Sequence, residues 1–293
     1  MANLKEIKTR IVSVISTQQI TKAMKMVAAA KLRKAQDHIL QMRPYAQKLN
    51  GILVNVTSGS DGEDDENNVY SLERSVEKVL LIVITSDRGL CGAFNSNVNK
   101  ATVAHIQNNF KTIHKRGNLD ILPLGKKGYD YFKKKGYKTV SEFTDVFSDL
   151  SFFNATRAAV FSMESFLTGK YDRIDIIYNE FKNVATQILR VEQFLPIKPH
   201  EDSKSGYESD YIFQPDREQI LNDIIPKSLK VQLYKAILES NASEQGARMT
   251  AMNQATDNAD ELLKGLKLTY NRTRQAAITK EILEIVAGAE ALG

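Results

Sequence analysis

The stretch LKEIKTRIVSVISTQQITKAMKMVAAAKLRKAQ, residues 4–36, decides the fold. Leu4, Ile7, Ile11 and Val14 recur at steps of 3, 4 and 3. That period gives a helix one apolar seam, made to lie along a second helix. Gln18 and Thr21, polar or short, meet the seam before Met24, Val27 and Ala28 resume it. Just upstream, Asn3 with Glu6 three positions on has the form of a capping box with Asn as the cap. Downstream, no glycine occurs before Gly51, so one long helix is expected over residues 3–56. Pro44 removes an intrahelical hydrogen bond and is expected to bend that helix rather than end it.

Beyond the helix the pattern changes. GSDGEDDENN, residues 59–68, is acidic and rich in Gly and Asn, and reads as a loop. Strand and helix patterns then alternate. KVLLIVITS is a buried strand, Asn95 to Lys115 a helix, LDILPLG a strand and KKGYDYFKKKG a short helix. YKTVSEF follows as a strand, Phe152 to Leu167 as a helix, DRIDIIYNEF as a strand and TQILRVEQFLPI as the last strand. Such alternation builds parallel βαβ units. The last strand follows its predecessor too closely for a crossover helix, so an antiparallel edge is expected.

A second long helix should begin at Asp216, with Gln219 in the reciprocal capping position and Pro226 in its first turns. Met252, Ala255, Ala259, Leu262 and Leu266 mark its seam, at steps of 3, 4, 3 and 4. A compact insert can return the chain to its start only if the two helices run antiparallel. The expected fold is therefore α/β: a long antiparallel coiled coil of N- and C-terminal helices with an inserted Rossmann-like βαβ domain. Its parts are a helix at 1–56, an acidic linker at 57–75, the α/β domain at 76–197, a polar linker at 198–215 and a helix at 216–293. At a rise of ~1.5 Å per residue the second helix overhangs the first by ~30 Å. The overhang carries Ile278, Ile282, Ile285, Val286 and Leu292, apolar side chains that need a partner from another chain.

Composition removes several classes. Cys91 is the single cysteine, which excludes an intrachain disulfide, a cysteine-based zinc site and a dithiol switch. The longest aliphatic run, Val79 to Ile84, is far short of the ~20 residues that span a bilayer. The basic N-terminus lacks the apolar stretch of a secretory signal. The expectation is a soluble intracellular chain, peripheral if it works at a membrane. Lys and Arg total 40 against 35 Asp and Glu, a net +5 too small for a nucleic-acid coat.

Few motifs point to chemistry. TSDRGLCGAFN follows a strand and opens a helix, where nucleotide-binding folds place phosphates. It has only Gly89 and Gly92, with neither G-x-G-x-x-G nor a Walker sequence, so a tight turn needing glycine is the better reading. Gly125-Lys126-Lys127-Gly128 is read the same way. Asp87 and Arg88 are placed to pair and brace the turn. His38, His105, His114 and His200 lack metal-ligand spacing and read as structural or solvated. Cys91 reads as a small buried hydrophobe. No catalytic, cofactor-binding or metal-binding residue is assigned.

The first helix carries ten cations, among them Lys5, Lys22, Lys25 and Arg43, against Glu6 and Asp37. A solvated face is the usual meaning of such a run. Here an acidic protein partner fits better than nucleic acid, because Tyr45 is its one aromatic residue and stacking groups are missing. A basic coiled-coil nucleic-acid binder stays as the alternative, and a nucleotide-binding enzyme built on the βαβ domain as a third reading.

The two ends and the middle carry a family resemblance. The opening quoted above, the ending YNRTRQAAITKEILEIVAGAEAL and the internal TSDRGLCGAFN resemble, in that order, the gamma subunits of rotary F-type ATP synthases. The resemblance implies a non-catalytic central rotor shaft. Its coiled coil would enter a ring of alpha and beta subunits, and its middle domain would meet the epsilon subunit and the c ring. It would couple c-ring rotation driven by protons to conformational cycling of the beta sites. It would be peripheral, at the cytoplasmic face of the inner membrane, with no cofactor and no nucleic acid. Carried over by motif position, Arg274, Gln275 and Thr279 match a polar cluster that contacts beta. Lys22, Met24 and Lys25 match a segment facing beta's acidic lever loops. Ile282, Ile285 and Val286 are implied to form the apolar bearing tip. Plant-type members carry a regulatory cysteine pair; this chain, with one cysteine, departs from them.

Overall fold

The computed structural model describes residues 4–58, 69–184, 186–197 and 217–290. The expected caps Asn3 and Asp216, the acidic stretch 59–68, the polar linker residues 198–215, His200 and Leu292 lie outside them. The chain divides into two compact units, one of Met1–Ala29 with Arg248–Gly293 and the other of Ala30–Ala247. Helix α1 spans Leu4–Ser58 and stays helical through Pro44. The last helix, α6, spans Arg217–Glu290 and stays helical through Pro226.

In the larger unit the order is β1 (Val79–Ile84), α2 (Phe94–Asn109), α3 (Lys111–Lys115), β2 (Leu119–Leu124), α4 (Lys126–Lys134), β3 (Lys138–Thr139), α5 (Phe152–Leu167), β4 (Arg173–Phe181) and β5 (Gln187–Leu195). The sheet order is β3-β2-β1-β4-β5. β1 pairs in parallel with β2 and β4, and β5 closes the edge antiparallel to β4. This is the Rossmann-like arrangement expected between two long helices. VLLIVI of β1 is buried on both faces. Leu80, Ile82 and Ile84 pack with Ala155, Ala158 and Ala159 of α5 and Leu233 and Ile237 of α6. Val79, Leu81 and Val83 pack with Val98 and Ile106 of α2 and Phe132 of α4. The alanine stripe of α5 lets that helix approach the sheet closely.

Two elements are shorter than the sequence suggests. The helix expected over 95–115 breaks at Phe110, whose φ of −127° and ψ of 20° leave the helical region. Its ring turns into the second core cluster and meets His105 edge-on. Of the strand YKTVSEF only Lys138–Thr139 pairs. The cause lies in β2. Thr85 N–H donates to Leu124 O on the β1 side, whereas Ile121 O accepts from Val140 N–H on the β3 side. Alternation puts Pro123 on the β3 side, where it has no N–H to offer, so the ladder stops.

Near the end of β4, α6 is held by polar contacts. Glu239 is buried, and its carboxylate accepts from Phe181 N–H at 3.1 Å and meets the Arg43 guanidinium at 3.4 Å. Ser243 Oγ donates to Asn179 O at 3.1 Å.

In the smaller unit α1 and α6 pair antiparallel. Thr21 and Thr256 hydroxyls meet at 2.8 Å, Gln18 Nε2 donates to Asp260 Oδ1, and Lys25 Nζ donates to Asn253 Oδ1. On α1 the shielded positions include Leu4, Ile7, Ile11, Val14, Gln18, Thr21, Lys25 and Ala28, an unbroken heptad in which polar residues belong to the seam, with Ile15 and Met24 half-buried beside it. Val27, expected in it, is 56% exposed. On α6 the seam runs Met252, Thr256, Ala259, Leu263 and Leu266. Leu262, the expected seam residue, points outward at 47% exposure. Two adjacent leucines fit the period equally, and the polar pairs with α1 decide between them.

Candidate functional site

Each step back along α1 in the three polar pairs is matched by a step forward along α6. Carried on, this register brings Leu4 level with Thr273 and Arg274. α6 continues to Glu290, a further ~25 Å of helix at the normal rise. Every residue from Ile278 to Glu290 is exposed, including Ile278, Ile282, Leu283, Ile285 (71%) and Val286. Five large aliphatic side chains over nine residues form a patch that water alone does not favour. Leu283 was not singled out in the sequence, yet it lies among the others and is 63% exposed.

The candidate contact residues all fall in this same unit. Lys22 is exposed, whereas Met24 and Lys25 are half-buried. The Lys25 ammonium is engaged by Asn253, which in turn donates from Nδ2 to Asp257 Oδ2 at 3.0 Å. Lys25 therefore works within the coil, and Lys22 is the cation that faces outward. Met26, one helical turn beyond Lys22, is 62% exposed and extends the outward face. The heptad phase of α1 is the signal that separates the two lysines.

Arg274 and Gln275 are exposed on α6. Thr279 Oγ1 donates to Gln275 O at 2.9 Å, a bond within the helix that leaves the hydroxyl's acceptor capacity outward. Lys280 and Glu284 form an exposed pair at 3.3 Å, of the kind that contributes little.

The strand-to-helix turn 85–95 is closed on itself. Asn95 Oδ1 accepts from Ser86 N–H at 3.0 Å, and Asn95 Nδ2 donates to Ser86 Oγ at 2.7 Å and to Cys91 Sγ at 3.3 Å. Ser86 Oγ donates to Arg88 O at 2.7 Å. These bonds tie the turn to the first turn of α2. Asp87, expected to brace the turn locally, accepts from Lys126 N–H at 3.1 Å at the start of α4. Thr85 Oγ1 accepts from Gly128 N–H at 2.9 Å. A Cβ on Gly125 would lie 2.3 Å from Thr85 O, and one on Gly128 2.7 Å from Thr85 Oγ1. The glycines of G-K-K-G are there for packing. His105 Nε2 is bound to Asp175 Oδ2 at 2.8 Å and His114 stacks on Tyr137. Among the described residues no cluster of His, Cys, Asp and Glu is grouped to hold a metal ion, and no helix is long and apolar enough to cross a membrane.

Comparison with known proteins agrees across the whole length. The family described as ATP synthase matches residues 3–292. The chain is 58% identical to the ATP synthase gamma chain of Cytophaga hutchinsonii, aligned over all of this chain and 99% of that one. It is 55% identical to the gamma chain of Flavobacterium johnsoniae over the same shares. Its structure is similar to the central stalk/c-ring structure of Tetrahymena thermophila mitochondrial ATP synthase, with TM-score 0.55 and 26% identity over 80% of this chain and 99% of that one. It shares the fold of a chain in the Euglena gracilis mitochondrial OSCP/F1/c-ring structure, with TM-score 0.66 and 23% identity over 99% and 94% of the two chains. The nucleic-acid reading of the basic helix falls with these findings.

Proposed function

This chain belongs to the ATP synthase gamma-chain family, and from that premise we propose how it works as the central stalk of the rotary motor. The unpartnered last turns of α6 carry the reading. Ile282, Ile285 and Val286 form a tip that turns inside an apolar sleeve supplied by the alpha and beta subunits. Arg274, Gln275 and Thr279 lie one to two turns before the tip and contact a beta subunit. Lys22, with Met24 and the base of Lys25 beside it, faces beta's acidic lever loops. An exposed pair of that kind contributes ~1 kcal/mol or less, so torque rests on the whole surface rather than on one bond.

The α/β domain is the foot of the shaft and meets the epsilon subunit and the c ring. Proton flow turns the ring, the foot carries the turn to the coil, and the coil's asymmetry takes the three beta sites through different affinities. ATP chemistry belongs to beta. The chain reaches the cytoplasmic face of the membrane through the complex. The test is reconstitution with alpha and beta chains: added chain is expected to raise ATP turnover several-fold. Hexamers that gain no turnover on its addition would overturn the reading.

A further inference from the structure

We propose that Glu239 and Ser243 of α6 form the joint through which the α/β domain turns the coil, with Glu239 as a positioning residue for rotary coupling. The inference rests on the reading of the chain as a rotor shaft and adds the place where load crosses from sheet to helix. β4 outlasts β1. The last parallel pair is Val83 with Ile177, whereas β4 stays paired with β5 up to Phe181 opposite Gln187. Residues 178–181 therefore have β5 on one side and, among the described residues, no strand on the other.

α6 fills that side with side chains. Asn179 and Phe181, two residues apart, turn their backbone groups to the same edge. Asn179 O accepts from Ser243 Oγ at 3.1 Å, and Phe181 N–H donates to Glu239 Oε2 at 3.1 Å. Gly246 continues the row: a Cβ there would lie 3.5 Å from the Phe181 ring and 3.6 Å from Val184 O in the β4–β5 turn. Positions 239, 243 and 246, at steps of 4 and 3, lie on one face of α6. The helix takes over the ladder that β1 leaves unfinished.

Glu239 does more than supply that ladder bond. A carboxylate 1% exposed is costly unless its oxygens are engaged. Here Oε1 meets Arg43 of α1 at 3.4 Å while Oε2 holds β4. A glutamine would serve Phe181 without bringing in a charge for Arg43. One carboxylate links the sheet, α6 and α1, all within the larger unit. The apolar contacts of Leu229, Leu233 and Ile237 with the sheet core give adhesion without direction. Hydrogen bonds to a fixed backbone are directional, and they resist sliding of the helix along the sheet. Both long helices run on unbroken from this unit into the other, so a turn given to the sheet enters the coil here.

The test uses the complete synthase reconstituted in vesicles, with ATP hydrolysis and ATP-driven proton uptake read side by side. Glu239→Ala with Ser243→Ala removes these bonds. It should lower the protons pumped per ATP at least about threefold, since a hydrogen bond to a charged group favours the closed form by about tenfold or more. Glu239→Gln alone keeps an acceptor for Phe181 N–H and should keep the greater part of the ratio. If the double alanine variant does not fold, Glu239→Gln with Ser243→Ala carries the test, with a smaller fall in the same direction. The control is Leu229→Ala, which opens a cavity in the apolar face of the same helix. It should lower the melting temperature at least as far and leave the ratio unchanged. An unchanged ratio in the joint variants, or a fall that follows melting temperature in the control as well, overturns the proposal. Activation of a free alpha–beta hexamer puts no load on the sheet, and the joint variants should retain it. Its loss in them would overturn the joint, whereas its failure with the unaltered chain would overturn the rotor reading itself.

Discussion

The hydroxyls of Thr21 and Thr256 face each other at 2.8 Å across the coil, and each also donates or can donate to a carbonyl of its own helix, Gln18 O and Met252 O. They sit where a coiled coil ordinarily buries Leu or Ile. Polar groups at seam positions fix register at a cost in stability. Because each hydroxyl keeps an in-helix acceptor, Thr21→Val or Thr256→Val alone should change stability by under about 1 kcal/mol. The double variant should be neutral or more stable, since both polar groups leave together. Thermal unfolding of the four proteins in a double-mutant cycle checks this; additive losses would refute it.

The two lysines of KAMKM separate by measurement. Lys25→Ala removes the bond to Asn253 and should destabilise the chain by about 1 kcal/mol. Lys22→Ala should leave unfolding unchanged, because its side chain is exposed, and should lower turnover of the reconstituted complex. The opposite assignment of effects would remove Lys22 from the proposed contact.

Much of the fold was legible because burial on two sides writes an unmistakable pattern. VLLIVI can only be an inner strand, and the steps of 3 and 4 in α1 can only be a seam. What failed to read was three-dimensional. Leu262 and Leu263 offer the same period, and only the pairs Gln18–Asp260 and Thr21–Thr256 choose between them. The short β3 follows from the facing of Pro123, which needs the register of β2. Of the candidate contacts, Lys22 and Lys25 are alike in sequence and differ only in helical phase. The exposure of Met26 and Leu283 leaves no mark in the sequence, because an apolar residue on a helix is more often buried.

Thr85 makes a distinguishing test of G-K-K-G. Gly125 has φ +113° and a Cβ there meets the Thr85 carbonyl, whereas a Cβ on Gly128 meets the Thr85 side chain. Gly125→Ala should cost about 3 kcal/mol or more and resist rescue. Gly128→Ala should be partly rescued by Thr85→Ala, which clears the methyl and hydroxyl at the expense of the bond to Gly128 N–H. Urea unfolding of the single and double variants decides; rescue of both glycines alike would place the clash elsewhere.

Two buried phenols should weaken the fold at alkaline pH. Tyr178, buried and donating to Glu192 at 3.0 Å, and Tyr171, donating to Asp120, both have pKa values raised above the ordinary 10.0, first by desolvation and then by the neighbouring carboxylates. A group whose folded pKa is raised supports the fold fully below its unfolded pKa. Its support is lost as pH rises through the interval up to the folded value. Stability should therefore be flat in these groups below pH 10 and fall above it, by up to about 1.4 kcal/mol per pH unit for each phenol. Tyr171→Phe with Tyr178→Phe should flatten that fall while lowering stability at neutral pH. Denaturant unfolding between pH 8 and 11 reads it; an unchanged alkaline slope in the double variant would exclude both tyrosines.

The tip separates a bearing from a core. Ile282, Ile285 and Val286 are 55%, 71% and 48% exposed, and no residue of α1 is level with them. Replacing all three by Ser should leave unfolding of the isolated chain within about 0.5 kcal/mol, the range of ordinary surface changes. If the tip turns in an apolar sleeve, the same variant loses burial in the complex. Its assembly with alpha and beta chains, or the protons pumped per ATP hydrolysed, should drop several-fold, and deletion of residues 280–293 should do the same. A variant that is as stable, assembles as well and pumps as efficiently as the unaltered chain would leave those aliphatic groups without the partner inferred for them. A variant that unfolds early would show instead that they pack against the chain's own coil.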